Sequence, residues 1–282
     1  MSVTEPGHLY IVATPIGNLG DMSTRAVETL KEVDLIAAED TRHSKYLLDL
    51  HLISTPSISL HDHNEQQRSQ LLLEKLQEGQ SIALISDAGT PLISDPGYKL
   101  VTLVRSAGIK VIPIPGSCAF IAALSASGLP SDRFAFEGFL PPKSGARQQK
   151  LQILAEDTRT LIFYESPKRV AATLNEMQQI FGADRQACIA RELTKIHETI
   201  ETRPLAELAE WVAADNNQQK GEIVLLVAGA VDGMSADEQA MQRMLNLLLP
   251  EMPVKKAATI TAEWLSVSKN AAYQLALKLQ QK

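Results

Sequence analysis

Cysteine is nearly absent from this chain: Cys118 and Cys188 stand far apart and outside any C-x-x-C spacing. That excludes a disulfide framework and a thiolate zinc site, leaves no metal expected, and fits a reducing cytoplasm. No apolar run approaches the roughly 20 residues that a membrane-spanning helix needs. The N-terminus also lacks the basic-then-apolar pattern of a signal peptide, so no membrane is expected as a partner. There is no G-x-x-x-x-G-K-[ST], and Gly17 and Gly20 supply only G-x-x-G after the first apolar run. A P-loop nucleotidase and the common dinucleotide fold are therefore disfavoured. The net charge of −6 argues against a surface coated in positive charge, although a local basic patch stays compatible with it.

Three segments with one grammar stand out against these absences. The apolar run Ile82-Ala83-Leu84-Ile85 meets a loop of turn formers, Ser86-Asp87-Ala88-Gly89-Thr90-Pro91, and then Asp95-Pro96. Asp95 is read as the N-cap of the following helix, with Pro96 at its first position. Residues 9–13 run in the same way into Thr14-Pro15-Ile16-Gly17-Asn18, and residues 111–114 into Pro115-Gly116-Ser117-Cys118. The helix after the last loop is built of small residues from Ala119 to Ser127, with Gly128 as its C-cap. Strand, Gly/Pro loop and helix in succession are how open α/β sheets offer backbone to a ligand at their carboxyl edge. Each loop alone is equally an ordinary connection; three together argue for a nucleotide-like cofactor. Cys118 reads as a small packing residue rather than a nucleophile.

The order of elements predicts an α/β protein with two α/β domains and a helical tail, divided at 1–115, 116–232 and 233–282. Strands near 8–14, 33–38, 56–60, 81–86 and 109–114 alternate with helices near 23–31, 41–50, 64–78 and 96–107, which predicts a mostly parallel sheet. A linker is expected around 115–130. The second part reads as strands near 133–139, 160–165, 186–192, 197–203 and 222–228, with helices near 147–155, 168–181 and 205–214. The close pair 186–192 and 197–203 suggests a hairpin, hence a mixed sheet. A boundary is expected at Val231-Asp232-Gly233, and then helices near 235–249, 254–265 and 268–281.

Residues 13–21, Glu39-Asp40-Thr41-Arg42, residues 86–97 and Pro115-Gly116-Ser117 closely resemble motifs of the tetrapyrrole methylase superfamily. Residues 163–169 and 190–195 narrow the resemblance to the branch that methylates a cytidine ribose 2′-oxygen in the decoding region of 16S rRNA. It covers about residues 8–230. It implies a class III S-adenosylmethionine (SAM) methyltransferase, usually a homodimer, that holds SAM folded between the two α/β domains and acts on the assembled small ribosomal subunit. By position it makes Pro15 the floor of the cofactor site and places Gly89-Thr90-Pro91 where many relatives carry Gly-Asp-Pro. Thr90 departs from that acid, which weakens a porphyrin-type substrate. Ile93 would meet SAM through backbone, Ser117 and Cys118 would cap one end, and Tyr164 would reach in from the second domain. Ala190 and the strand 221–228 would wall the adenine. Asp87 would favour the sulfonium, or simply bond nearby N–H groups.

A ribose hydroxyl is a poor nucleophile at neutral pH, so a carboxylate or a neutral base beside it would help. Asp40 or Glu39 can take the proton while Arg42 holds ribose or phosphate; equally, the carboxylate and arginine can pin a helix start. His43 reads as a helix-surface residue. Glu165, Lys168 and Arg169 form a second cluster, in which Lys168 and Arg169 suit either RNA phosphate or a solvated helical turn. Lys143, Arg147 and Lys150, with Arg42, Lys45, Lys168, Arg169, Arg191 and Lys195, can make one positive face for RNA. With aromatics at 5% there is no obvious stacking platform, which favours the shape of an assembled subunit over free single strands. Residues 253–278 have a helix–turn–helix rhythm, with the turn at Ser266-Val267-Ser268 and Lys269, Asn270 and Tyr273 following. This tail is an RNA-contacting module or a packing appendage with Trp264 and Leu265 in its core. Two other readings stay open: a SAM-dependent methylase of a tetrapyrrole-like molecule or a protein side chain, and a non-catalytic nucleic-acid-binding module.

Overall fold

The computed structural model describes residues 5–230 and 236–280, which separate into two compact units, the chain passing from one to the other between Gly229 and Ala230. In the first unit, strands β1 (Leu9–Val12), β2 (Leu35–Ala38), β3 (Ser57–Ser59), β4 (Ile82–Ile85) and β5 (Val111–Ile114) form a sheet in the order β3-β2-β4-β1-β5. Every pairing in it is parallel. Helices α1 (Thr24–Glu32), α2 (Thr41–Leu50), α3 (Glu65–Gln77) and α4 (Tyr98–Ser106) supply the crossovers. Strand alternation divides the apolar side chains between two cores. Leu9, Leu35, Ala37, Ile82 and Leu84 point into one. Val12, Ile36, Ala38, Ala83, Ile85 and Ile114 point into the other. With helices on both faces, β2 and β4 are buried throughout, which is why they read as unbroken apolar runs. The chain leaves β1 for β2 on one side and leaves its neighbour β4 for β5 on the other, so a crevice opens above β1 and β4.

The stretch 115–130 is not a bare linker: it carries α5 (Ala119–Ala126). There follow β6 (Phe134–Phe139), α6 (Ser144–Leu154), β7 (Thr160–Glu165), α7 (Val170–Phe181), β8 (Gln186–Arg191), β9 (Thr199–Pro204), α8 (Leu205–Ala214) and β10 (Ile223–Val227). The second sheet runs β6-β7-β10-β8-β9. Only β6 and β7 are parallel in it, and β8–β9 is the antiparallel hairpin, so the sheet is mixed. One face packs on α6, α7 and α8. The other sets Ile162, Cys188, Ala190, Val224 and Leu226 against Phe120, Ala123 and Leu124 of α5, and against Ile16 and Ile93 from loops of the first sheet. This last cluster joins the two sheets within one unit.

Asp95 and Pro96 do not open a helix. Leu92 and Ser94 adopt left-handed backbone (φ 74° and 66°), turning the chain so that α4 starts at Tyr98 after Gly97. The exposed amides of that helix end are satisfied from elsewhere: Gly97 N and Lys99 N each donate to Oε1 of buried Glu65 at 2.9 Å. Charge-assisted bonds of this kind contribute about 1.5–3 kcal/mol. Glu65→Ala is therefore expected to lower the thermal midpoint by roughly 3–12 °C. It should also speed hydrogen exchange at the Gly97 and Lys99 amides, and unchanged exchange there would contradict the cap.

The second unit holds α9 (Ala236–Leu248), α10 (Val254–Leu265) and α11 (Lys269–Gln280). Its core is thin: Met241, Ala258, Ala262 and Ala272 in one cluster, Leu245, Ala257 and Ala276 in another. Ser266 makes the turn between α10 and α11 in left-handed backbone (φ 54°). Leu265 packs against this core, but Trp264 does not belong to it, being 77% exposed. The expected boundary at Val231-Asp232-Gly233 lies outside the described residues. Among the described residues no helix is long and apolar enough to cross a membrane.

Candidate functional site

The three Gly/Pro loops converge at the carboxyl edge of the first sheet and are tied to one another. Thr14 and Gly89 exchange two backbone hydrogen bonds, of 2.8 and 3.1 Å. The Thr14 hydroxyl is shared between the carbonyls of Ser86 and Gly89. Thr90 Oγ1 donates to the Ser117 carbonyl at 2.9 Å, which fastens the third loop. Gly89 carries the close approach: its φ is +86°, and a Cβ there would lie 3.2 Å from Ile16 Cγ2.

Above these loops lies a cavity of about 360 Å³, bounded on the far side by the second sheet. Gly89, Thr90, Ile93, Cys118, Tyr164 and Ala190 all line it, as do Gly221, Ile223 and Val224 at the start of β10. Pro15, Ser117 and Asp87 do not. Pro15 is buried beside Ile16, and Ser117 serves through the carbonyl that Thr90 engages. Asp87 is a loop brace: its Oδ1 accepts the Asp40 amide at 3.1 Å, and its own amide points at Glu39 Oε2, 3.4 Å away. The sequence reading missed Ile16, Ser94, Asp95, Phe139 and Leu193, which also form the wall, while Glu222 falls within the strand 221–228 expected there. Ser94 and Asp95 were in plain view on the same loop as Gly89. Leu193 follows the end of β8, which only the sheet order brings near.

Acid dominates the electrostatics of the cavity floor. Burial pushes the Asp95 carboxyl up to about 7; the Glu39 charge reinforces this, the Ser86 hydroxyl opposes it, and Asp87 and Asp62 add to it. Burial also raises Glu39, against the pull of the Asp87 amide. Cys118 and Tyr164 are both pushed upward by burial and stay protonated at neutral pH. Asp40 behaves oppositely. The Arg42 guanidinium and amide hold its carboxyl well below the usual range, and its Oδ1 caps α2. Arg42 itself is 89% exposed.

Most of the expected positive face is already neutralised. Arg147 is buried, its Nε 2.6 Å from Glu176 Oε2, so its guanidinium is no surface phosphate ligand. Lys150 pairs with Glu137, Arg169 with Glu165, Lys45 with Asp49, and Lys195 with Glu192 and Glu222. Arg191 is buried and holds the β8–β9 turn through His197 O. Lys143 and Lys168 are exposed and form no ion pair among the described residues. Glu165 is saturated by Ser166 N, Arg169 and Thr173 Oγ1, which makes it the anchor of the α7 start. Among the described residues no group of three His, Cys, Asp or Glu is placed to hold a metal.

The residues present fit a nucleoside that carries a positive sulfonium. The volume falls in the range of small-molecule sites, the walls are mainly aliphatic and aromatic, and the one carboxyl group on the wall without an ion-pair partner is half-buried Asp95. The family model for Tetrapyrrole (Corrin/Porphyrin) Methylases matches residues 8–209, and one described as RsmI C-terminal HTH domain matches 235–280. A Pseudomonas aeruginosa protein named ribosomal RNA small subunit methyltransferase I is 55% identical over 278 residues, covering 98% of this chain and 99% of that protein. The Vibrio cholerae protein of the same name is 57% identical, covering 96% of this chain and 94% of its own length. Among solved structures, uroporphyrin-III C-methyltransferase from Thermus thermophilus complexed with S-adenosyl homocysteine superposes with a TM-score of 0.55 at 18% identity, covering 81% of this chain and all of that one. Diphthine synthase gives 0.58 at 14%, covering 79% and 90%. At these identities the likeness is one of fold.

Proposed function

This chain belongs to the tetrapyrrole methylase family, and from that premise we propose that it methylates a cytidine ribose 2′-oxygen in the decoding region of 16S rRNA, on the assembled small ribosomal subunit, with SAM as methyl donor. The observation that carries the reading is the acid-floored, apolar-walled cavity where the three loops meet. The relatives supply the substrate class, since those named for ribosomal RNA match nearly end to end, tail included.

SAM supplies an activated methyl, so the protein's work is to hold, orient and exclude water. Gly89, Thr90 and Ile93 offer backbone from the first sheet's edge; Tyr164, Ala190 and β10 close the other side. Ile16, Ile93 and Leu193 keep the pocket dry, which strengthens every charge interaction inside it. The negative field of Asp95, Glu39 and Asp87 favours a cation at the floor. Outside the pocket, Arg42, Lys143 and Lys168 are the exposed cations that suit rRNA phosphate. The same reading takes the enzyme as a cytoplasmic homodimer, and a sedimenting species of twice the chain mass would support the second half of that.

The test is to incubate the protein with methyl-labelled SAM and small subunits from cells that lack it, alongside naked 16S rRNA, and to map the label. Label on one ribose 2′-oxygen, strongest with assembled subunits, is expected. Label on a base, or none despite measurable SAM binding, would redirect the search to another acceptor: a second RNA position, a small macrocycle or a protein side chain.

A further inference from the structure

We propose that Asp95 is the general base that takes the proton from the attacking ribose hydroxyl. The proposal rests on the 2′-oxygen reading above and adds the group that activates that oxygen.

The carboxylates near the cavity separate by what already holds them. Glu165 spends both oxygens on Ser166, Arg169 and Thr173. Glu222 lies on the rim, 74% exposed and 2.9 Å from Lys195. Asp40 is bound by Arg42 and caps α2. Glu39 and Asp87 stand behind the wall and brace each other's loops. Asp95 alone among these lines the cavity without a cationic partner. The groups that face it are Glu39, Asp62 and Asp87 at the first sheet's edge, the Ser86 hydroxyl, and neutral Cys118 and Tyr164 across the cavity.

Its backbone is placed with care as well. Left-handed Leu92 and Ser94 turn Asp95 toward the cavity instead of letting it cap α4, and Glu65 takes over the capping. Non-glycine residues in such conformations cluster at functional sites, held there by their surroundings. A base works best with a pKa near the operating pH, and burial beside like charges sets Asp95 there. In the step itself the Asp95 carboxylate accepts the 2′-hydroxyl proton. The oxygen's electron pair forms the new bond to the methyl carbon, and the pair of the methyl–sulfur bond returns to sulfur, leaving a neutral thioether. Water then takes the proton from Asp95.

Asp95→Asn tests this. Methyl transfer to small subunits is expected to fall by about 10²–10⁴-fold, with subunit affinity within about threefold of wild type, SAM affinity weakened by no more than about tenfold through the lost charge, and a thermal midpoint at pH 8 no lower. Asp95→Glu should recover part of the rate. Glu39→Gln removes a like charge, so the acidic limb of the rate profile should move to lower pH. Independently of turnover, the Asp95 side-chain carbon in the free, isotope-labelled protein should titrate near 7, and lower in Glu39→Gln. Near-normal turnover in Asp95→Asn, loss of SAM affinity in step with rate, or a titration midpoint near that of an ordinary aspartate would each overturn the assignment. The 2′-oxygen reading fails separately, if wild-type label maps off the ribose whatever Asp95→Asn does.

Discussion

Arg147→Met is expected to destabilise the protein by about 3–5 kcal/mol, as breaking one side of a buried ion pair does. Arg147 on α6 meets Glu176 on α7 through two bonds, Nε–Oε2 at 2.6 Å and Nη2–Oε1 at 2.7 Å; Ser144 Oγ adds a third to Oε1. Both side chains are at most about a tenth exposed. Methionine fills much of the arginine volume but leaves the Glu176 charge with only Ser144 and Gln148 for support. The thermal midpoint should drop by roughly 6–20 °C. Joining Arg147→Met to Glu176→Leu should restore much of it, since no charge is then stranded. Burial of Glu176 works against ionisation, but the bonds from Arg147 and Ser144 outweigh it and hold the carboxyl below its ordinary value. The sign follows: this stability is fully present above the ordinary glutamate pKa of about 4.3 and drains away as pH falls through the lower folded value. Urea unfolding should accordingly show wild type and variant converging in acid. A loss under about 1 kcal/mol at pH 7 would show the pair to be idle. The salt slope of subunit binding should not change, because this guanidinium is not free to meet phosphate.

That pair illustrates where sequence reading runs out. Arg147 beside Lys143 and Lys150, near a Pro/Gly loop, has the local look of a phosphate-binding run. Its partner lies 29 positions on, across a helix–helix contact. Asp95-Pro96 misleads in the same way. Local chemistry makes it a helix start, whereas Glu65, 32 positions before Gly97, takes that duty and leaves Asp95 to the cavity. Strand β7 and helices α8 and α10 coincide with the spans read from the sequence, because their apolar periodicity is strong and their ends carry proline, glycine or acid. The loops of the first sheet were equally legible, each being a strand that stops at glycine or proline. What no window contains is the insertion of β10 between β7 and β8. That placement brings Glu222 to the rim and Val224 opposite Ala190. Trp264 fails for a simpler reason: the small-residue core of the tail, alanines for the most part, has no room for an indole.

The loops that were legible also give the sharpest test of the cofactor site. Gly89→Val is expected to weaken SAM binding by about 100-fold, equivalent to about 2.8 kcal/mol. Two effects combine. A β-branched residue at φ +86° is a steric outlier that carries roughly 1–3 kcal/mol of strain, and its Cβ would press on Ile16 Cγ2 at 3.2 Å before the two methyl groups are added. Relief requires the loop to move, and the loop is bound to Thr14 on one side and, through Thr90, to Ser117 on the other. The displacement therefore passes into the cavity floor rather than into solvent. Gly89→Ala, with the same backbone strain but less bulk, should fall between wild type and valine. Titration calorimetry with SAM measures both, and thermal unfolding controls for the fold. A valine variant that folds and binds SAM within about threefold of wild type would remove Gly89 from the floor. The three-loop junction would then be only the joint between the two sheets, and the ligand would have to sit wholly against Tyr164, Leu193 and β10.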